Sequence, residues 1–138
     1  MKSERVSEIT EIRYIRDIGL VVSTFNGTIK FFEAISFSEK WVTNNKMRKE
    51  NQHTNITTFD ISVKMGVMAT GGVEGRIILI DPYALDVIKA EKAHSCEILK
   101  LYVYEEQKQI ISIGQDRSIG LWDASRLEKI EIIKDDRI

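Results

Sequence analysis

The chain contains one proline and one cysteine in 138 residues, and each scarcity excludes something. Cys96 has no second cysteine to pair with, so no intrachain disulfide forms, and the chain reads as intracellular. With so little proline, β-branched runs pass uninterrupted, which favours strands. No uncharged apolar run reaches the length of a membrane span. Residues 1–20 carry charges throughout and lack the apolar core of a signal peptide. Excess charge of one sign is also missing, with 20 Lys and Arg against 21 Asp and Glu. A nucleic-acid backbone or an anionic membrane selects a strongly basic surface, so neither is an expected partner. The one local basic cluster, Lys46-Met47-Arg48-Lys49, falls in a polar stretch from Thr43 to Gln52 and reads as a solvated loop. These absences together predict a soluble, cytoplasmic protein.

What the chain does have is a pattern written three times. Phe25-Asn26-Gly27-Thr28-Ile29-Lys30-Phe31-Phe32-Glu33 aligns with Val73-Glu74-Gly75-Arg76-Ile77-Ile78-Leu79-Ile80-Asp81 and with Gln115-Asp116-Arg117-Ser118-Ile119-Gly120-Leu121-Trp122-Asp123. Each copy is a tight turn, a mostly apolar strand, then an acid. The copies stand 48 residues apart (Phe32 to Ile80) and then 42 (Ile80 to Trp122). That is the period of a four-stranded propeller blade.

Each unit also divides into four strand candidates. In the first, Ile9 to Ile15 alternates as a half-buried strand does, Leu20 to Thr24 runs apolar, and Asn26-Gly27 forms a hairpin turn because both residues tolerate positive φ. Thr28 to Phe32 returns, and Lys40 to Thr43 is an outer strand. The second unit reads Ile56 to Ile61, Val67 to Thr70, Arg76 to Ile80 and Val87 to Ala90. The third reads Ile98 to Tyr104, Gln109 to Ile113, Ser118 to Trp122 and Lys129 to Ile133. Middle strands such as Ile77 to Ile80 are continuously apolar, as a strand covered on both faces must be. Ser125 to Lys134 also fits a helix, but Ile130, Ile132 and Ile133 favour a strand.

The third unit resembles the WD-repeat β-propellers. It has His94 in the connection entering the unit, Ser112 on the second strand, Asp116 in the turn, and Trp122-Asp123 closing the third strand. The resemblance implies a buried hydrogen-bonded tetrad running from the indole N–H to the serine, from the serine to the histidine, and from the histidine to the turn aspartate. Buried indole and imidazole groups require such partners. The second unit keeps His53, Thr70 and Glu74 in matching places, with Ile80 instead of tryptophan. The first has Val22, Asn26 and Phe32 there and retains only the strand pattern. The implied fold is all-β: a propeller fragment of three four-stranded antiparallel blades, spanning about 9–43, 53–91 and 94–134.

Sharper chemical readings of these residues give way to plainer ones. His94, Ser112 and Asp116 look like a nucleophilic set, but their places in the repeat account for all three as structural. Gly71 to Arg76 looks like a phosphate loop. It lacks the Lys-Ser/Thr of a P-loop and precedes a strand, so it reads as a hairpin turn. His53, His94 and Cys96 are too few and too badly spaced for a zinc site. No catalytic residue, metal or cofactor is expected. The first strands, reading mainly Ile, Thr, Phe and Leu, offer no acid cluster to a central channel.

Propellers have about four to eight blades, so three units leave an apolar face and an open edge at each end. The chain is therefore expected to be part of a longer protein, or to complete its ring with another chain. The expected function is a non-enzymatic scaffold for protein partners, whose contacts the resemblance places on the turn-bearing rim. The first candidates there are Phe25, Val73 and Gln115. Trp41 either packs the outer strand or anchors an interface. The stretch from His94 to Asp123 looks like the large WD-repeat proteins of cilia and flagella, which puts axonemal microtubule proteins among the candidate partners. A substrate-recognition propeller of a ubiquitin ligase, or of another regulatory complex, is the alternative.

Overall fold

The computed structural model describes residues 8–15, 19–24, 29–32, 39–42, 55–82 and 86–134. These form three four-stranded antiparallel sheets, each with its strands in sequence order. The first holds β1 (Ile9–Ile15), β2 (Gly19–Thr24), β3 (Ile29–Phe32) and β4 (Glu39–Val42). The second holds β5 (Ile56–Ser62), β6 (Val67–Gly72), β7 (Arg76–Asp81) and β8 (Asp86–Lys92). The third holds β9 (Ile98–Tyr104), β10 (Gln109–Gly114), β11 (Ser118–Asp123) and β12 (Lys129–Lys134). The ambiguous C-terminal stretch is the strand β12, and no helix occurs among the described residues.

The repeat extends to the irregularities. Each first strand shifts register at its second residue, at Thr10, Thr57 and Leu99. Each third strand shifts again beside its last residues, between Phe31 and Phe32, Leu79 and Ile80, and Leu121 and Trp122. Bulges at matched places give the three sheets the same local twist. They also make Ile12, Phe59 and Leu101 equivalent, and likewise Tyr14, Ile61 and Val103.

The second sheet lies between the other two. On one side Phe59, Ile61, Met68, Ile78 and Ile80 pack with Val21 and Ile29 of the first sheet. On the other, Val67, Ala69, Ile77 and Leu79 pack with Ile98, Leu101, Ile110 and Trp122 of the third. Strand β7 therefore divides its run of four apolar residues evenly between two cores, since alternate side chains point to opposite faces. The first strands β1, β5 and β9 lie side by side at the inner ends of the sheets. Hydrogen bonds from Thr58 to Glu11 and from Thr57 to the Ile98 carbonyl join them.

Candidate functional site

A chain of buried polar groups crosses the third sheet. Trp122 Nε1 donates to Ser112 Oγ at 3.1 Å. Ser112 Oγ lies 2.8 Å from His94 Nε2, and Ser118 Oγ lies 2.6 Å from His94 Nδ1. Ser118 then donates to Asp116 Oδ1 at 2.6 Å. One proton arrangement satisfies every member. The indole gives to Ser112, Ser112 gives to Nε2, Nδ1–H gives to Ser118, and Ser118 gives to the carboxylate. This arrangement needs a neutral imidazole. Burial holds the His94 pKa below its ordinary value, against the opposing pull of Asp116. The Ser118 hydroxyl in turn holds Asp116 below the usual carboxylate range.

The resemblance implies a direct bond from histidine to aspartate, and here the structure differs. His94 Nδ1 is 3.7 Å from Asp116 Oδ1, and Ser118 bridges the gap. The tight turn aims Asp116 at the first residue of β11, where its oxygen also accepts the Ser118 N–H at 3.2 Å. Two glycines make room for the chain. A Cβ on Gly120 would fall 2.6 Å from Trp122 Nε1 and 2.7 Å from Ser112 Oγ. A Cβ on Gly114 would fall 2.5 Å from His94 Nδ1. Ser118, Gly114 and Gly120 all stand in the repeat, yet their role appears only once the strands are paired.

The connection carrying His94 is fastened to the turn of the second sheet. Gly75, at φ +83°, presents its carbonyl to the N–H groups of Ala93 and His94 at 2.8 and 3.0 Å. Lys92 Nζ donates to the Glu74 carbonyl at 2.8 Å. From the third sheet, the Gln115 N–H donates to the Glu97 carbonyl at 2.9 Å and Ser95 donates to Asp116 Oδ2 at 3.3 Å. The turns at Glu74-Gly75 and Asp116-Arg117 thus border the same connection on one rim. Gln115 is exposed there and Val73 half-exposed.

Several solved propeller structures superpose on this arrangement. The crystal structure of RRP9 WD40 repeats matches at a TM-score of 0.81 with 16% identity, over 96% of this chain and 40% of that one. The structure of U3-55K matches at 0.80 with 14% identity, over 96% and 41%. The three sheets have the fold of WD-repeat propeller blades. An uncharacterized WD repeat-containing protein of Schizosaccharomyces pombe is 29% identical over 103 residues, 74% of this chain and 18% of that protein. No family model matches the chain. The chain thus spans about a fifth of its curated relative and two fifths of these solved structures.

Among these three blades, only the third holds the polar chain within the described residues. In the second blade, Thr70 is buried and its hydroxyl has no hydrogen-bond partner among them. Ile80 replaces the indole donor, and Ile78 pairs opposite Thr70 where Gly120 faces Ser112 in the third blade. Isoleucines thus stand where the third blade has its indole and its glycine. Glu74 sits on the turn, half-buried. His53, Phe25 and Asn26-Gly27 lie outside the described residues, as does the Trp41 side chain, although Trp41 pairs with Phe31 through the backbone in β4. In the first blade Val22 is buried where Ser112 stands in the third. No group of three or more His, Cys, Asp or Glu is placed to hold a metal among the described residues.

The first strands correct the expectation of an apolar channel wall. Glu11 Oε1 accepts from Thr58 Oγ1 at 2.9 Å, and Glu11 Oε2 accepts from Lys100 Nζ at 2.6 Å, so one carboxylate links all three blades. Asp60 accepts the N–H groups of Ile61 and Val103, both at 2.8 Å, while Arg13 NH1 lies 3.4 Å from it. Burial pushes the Asp60 pKa up, in spite of the Val103 N–H and Arg13. Arg13 and Lys100 lie 5.7 and 5.9 Å from the centre of the Tyr102 ring. These residues are scattered over 92 positions, and only the stacking of blades gathers them.

Proposed function

We propose that the protein is a non-enzymatic scaffold whose turn-bearing rim holds protein partners. The observation that carries this is the burial and closure of the one set with a catalytic look. Ser112 is wholly buried and already engaged by Trp122 and His94, so neither its lone pairs nor the imidazole face a substrate. Rim residues have the opposite character. The backbone N–H groups of Val73 and Gln115 are held by the Asn55 and Glu97 carbonyls, while the Gln115 side chain is exposed and that of Val73 half-exposed, the arrangement that recognition loops need. To test it, full-length protein and a variant carrying Phe25→Ala and Gln115→Lys are compared in pull-downs from native lysate. Loss of partners with an unchanged circular dichroism spectrum supports the reading. Equal recovery of the same partners moves the contact surface elsewhere, with Trp41 and the Lys46–Lys49 loop next to be tried.

Further blades are the nearest of these partners. Ile12 and Tyr14 are 57% and 66% exposed, whereas their equivalents Phe59 and Ile61 are 0% and 7% exposed beneath the first blade. A preceding blade would cover the first pair as the first blade covers the second. Tyr104 and Ile133, each 43% exposed, stand on the third blade.

Within the scaffold reading, the setting we favour is a ciliary or flagellar axoneme, on the resemblance of the stretch from His94 to Asp123. A tagged protein that stays out of the cilium would count against the axoneme and leave the scaffold reading untouched. It would turn attention to a regulatory complex such as a ubiquitin ligase.

A further inference from the structure

The seam between the second and third blades is close because the second blade offers small residues there. Ala69 and Gly71, both buried, stand on β6 opposite Leu79 and Ile77. A Cβ on Gly71 would fall 2.9 Å from Ile98 Cγ2, 3.2 Å from Ile98 Cβ and 3.1 Å from Leu101 Cδ2. The Ile98 atoms cannot swing away, since both belong to the stiff branch point of the side chain. Ile98 and Leu101, each 0% exposed, therefore reach the β6 backbone only because Gly71 has no side chain. The first blade holds Val21 and Ser23 in these places, again buried.

The third blade breaks this plan. Register puts Ile111 at the place of Ala69 and Ile113 at the place of Gly71, opposite Leu121 and Ile119. All four are half-exposed, whereas Ala69, Gly71, Leu79 and Ile77 are buried. This face is open, and it is built out where the second blade is hollow. Its inner edge differs as well. On β5, Thr57 donates to the Ile98 carbonyl, Asp60 accepts the Val103 N–H and Ser62 donates to Glu105. On β9 the exposed Leu99, Tyr102 and Tyr104 take their places.

We infer that the third blade is covered by a further blade of the same propeller, whose first strand carries glycine, alanine or serine at the two places that Ile98 and Leu101 fill in β9. The open face continues the one by which β6 and β7 receive the third blade. The chain also spans only two fifths of the solved propellers it matches. Close packing tolerates no overlap, so bulk on one side of a seam requires its absence from the other. The same sterics exclude a second copy of this chain docked head to tail. Its first strand would bring Ile9 and Ile12 to those two places, bulk against bulk. This rests on further blades being partners, as proposed above, and adds the side chains that one of them must have.

A diazirine analogue of leucine at position 113 of the full-length protein tests this with little change of size. Irradiation in native cells, digestion and mass spectrometry identify what it touches. The expected product is a link within one polypeptide, from position 113 to a glycine, alanine or serine on a strand outside the three blades. A link to residues 9–12 of a second copy overturns the inference. So does a link to another protein or to a large apolar residue, or no link at all. A size exchange gives the second readout. Ile113→Ala should lower the urea midpoint of the full-length protein, and enlarging the linked residue to leucine should recover part of that loss. The same enlargement beside an unaltered Ile113 should lower the midpoint. Losses that simply add, with no recovery, overturn the steric match. None of these readouts uses the rim, so equal partner recovery by the rim variant would count against that surface and leave this seam standing.

Discussion

Removing the Ser112 hydroxyl should destabilise the third blade more than its size suggests, because it serves two buried groups at once. Ser112→Ala deprives Trp122 Nε1–H, at 3.1 Å, and His94 Nε2, at 2.8 Å, of their partner. Each stranded group costs about 1–3 kcal/mol. Relaxation recovers part of this, and about 2–4 kcal/mol is the expected loss. Trp122→Phe removes the donor and part of a buried ring packed with Leu79, Ala124 and Leu127. It should cost about 1–3 kcal/mol. In the double variant no indole N–H remains to be stranded, so the combined loss should fall short of the sum by about 1 kcal/mol. Equilibrium urea unfolding followed by far-UV circular dichroism measures the cycle, at constant m-value. Additivity within about 0.3 kcal/mol would mean that the two residues do not share the chain of bonds described above.

Three other outcomes follow from the same contacts. The pKa of His94 is depressed in the fold, so its contribution is fully present above the free imidazole value of about 6.5 and is lost as pH falls through the folded value. The urea midpoint should therefore drop more steeply on acidification in the unaltered protein than in His94→Gln, and parallel profiles would contradict this. Gly75→Ala places a Cβ 2.1 Å from the His94 carbonyl at φ +83° and should cost about 2 kcal/mol or more, with His94 backbone resonances displaced; an unchanged melt would refute the fastening of that connection. Phe59→Ala should cost about 3–5 kcal/mol while Ile12→Ala stays within about 0.5 kcal/mol, and similar losses at both would show that the flank of the first blade is already covered.

The fold was legible because its signals are local. Alternation in Ile9 to Ile15, the unbroken run Ile77 to Ile80 and the glycine turns each act within a few residues, and three repeats reinforce one another. The polar chain was partly legible for the same reason, since Ser112, Asp116 and Trp122 lie at fixed offsets on adjacent strands. Ser118 carries no signal of its own, because serine is an ordinary residue at the start of a strand until the 3.7 Å gap between His94 and Asp116 needs bridging. The inner cluster was illegible. Glu11, Asp60 and Lys100 each look like a solvated charge in its own strand, and only the packing of successive blades turns them towards one another. The counterpart in the second blade was legible as a pattern and altered in chemistry, since Ile78 and Ile80 fill the space that an indole and a glycine share in the third.

Whether the turn-bearing rim is the working surface, with the buried polar chain as its support, is decided by site-specific photo-crosslinking. A photoreactive side chain is placed at Gln115 on the rim, or at Lys129 on the exposed outer strand β12, in the full-length protein in its native cells. Covalent adducts with discrete partner proteins are expected at position 115 and none, or far fewer, at 129; the rim's role requires this pattern. Adducts confined to position 129, with the rim unreactive in a folded protein, would contradict it.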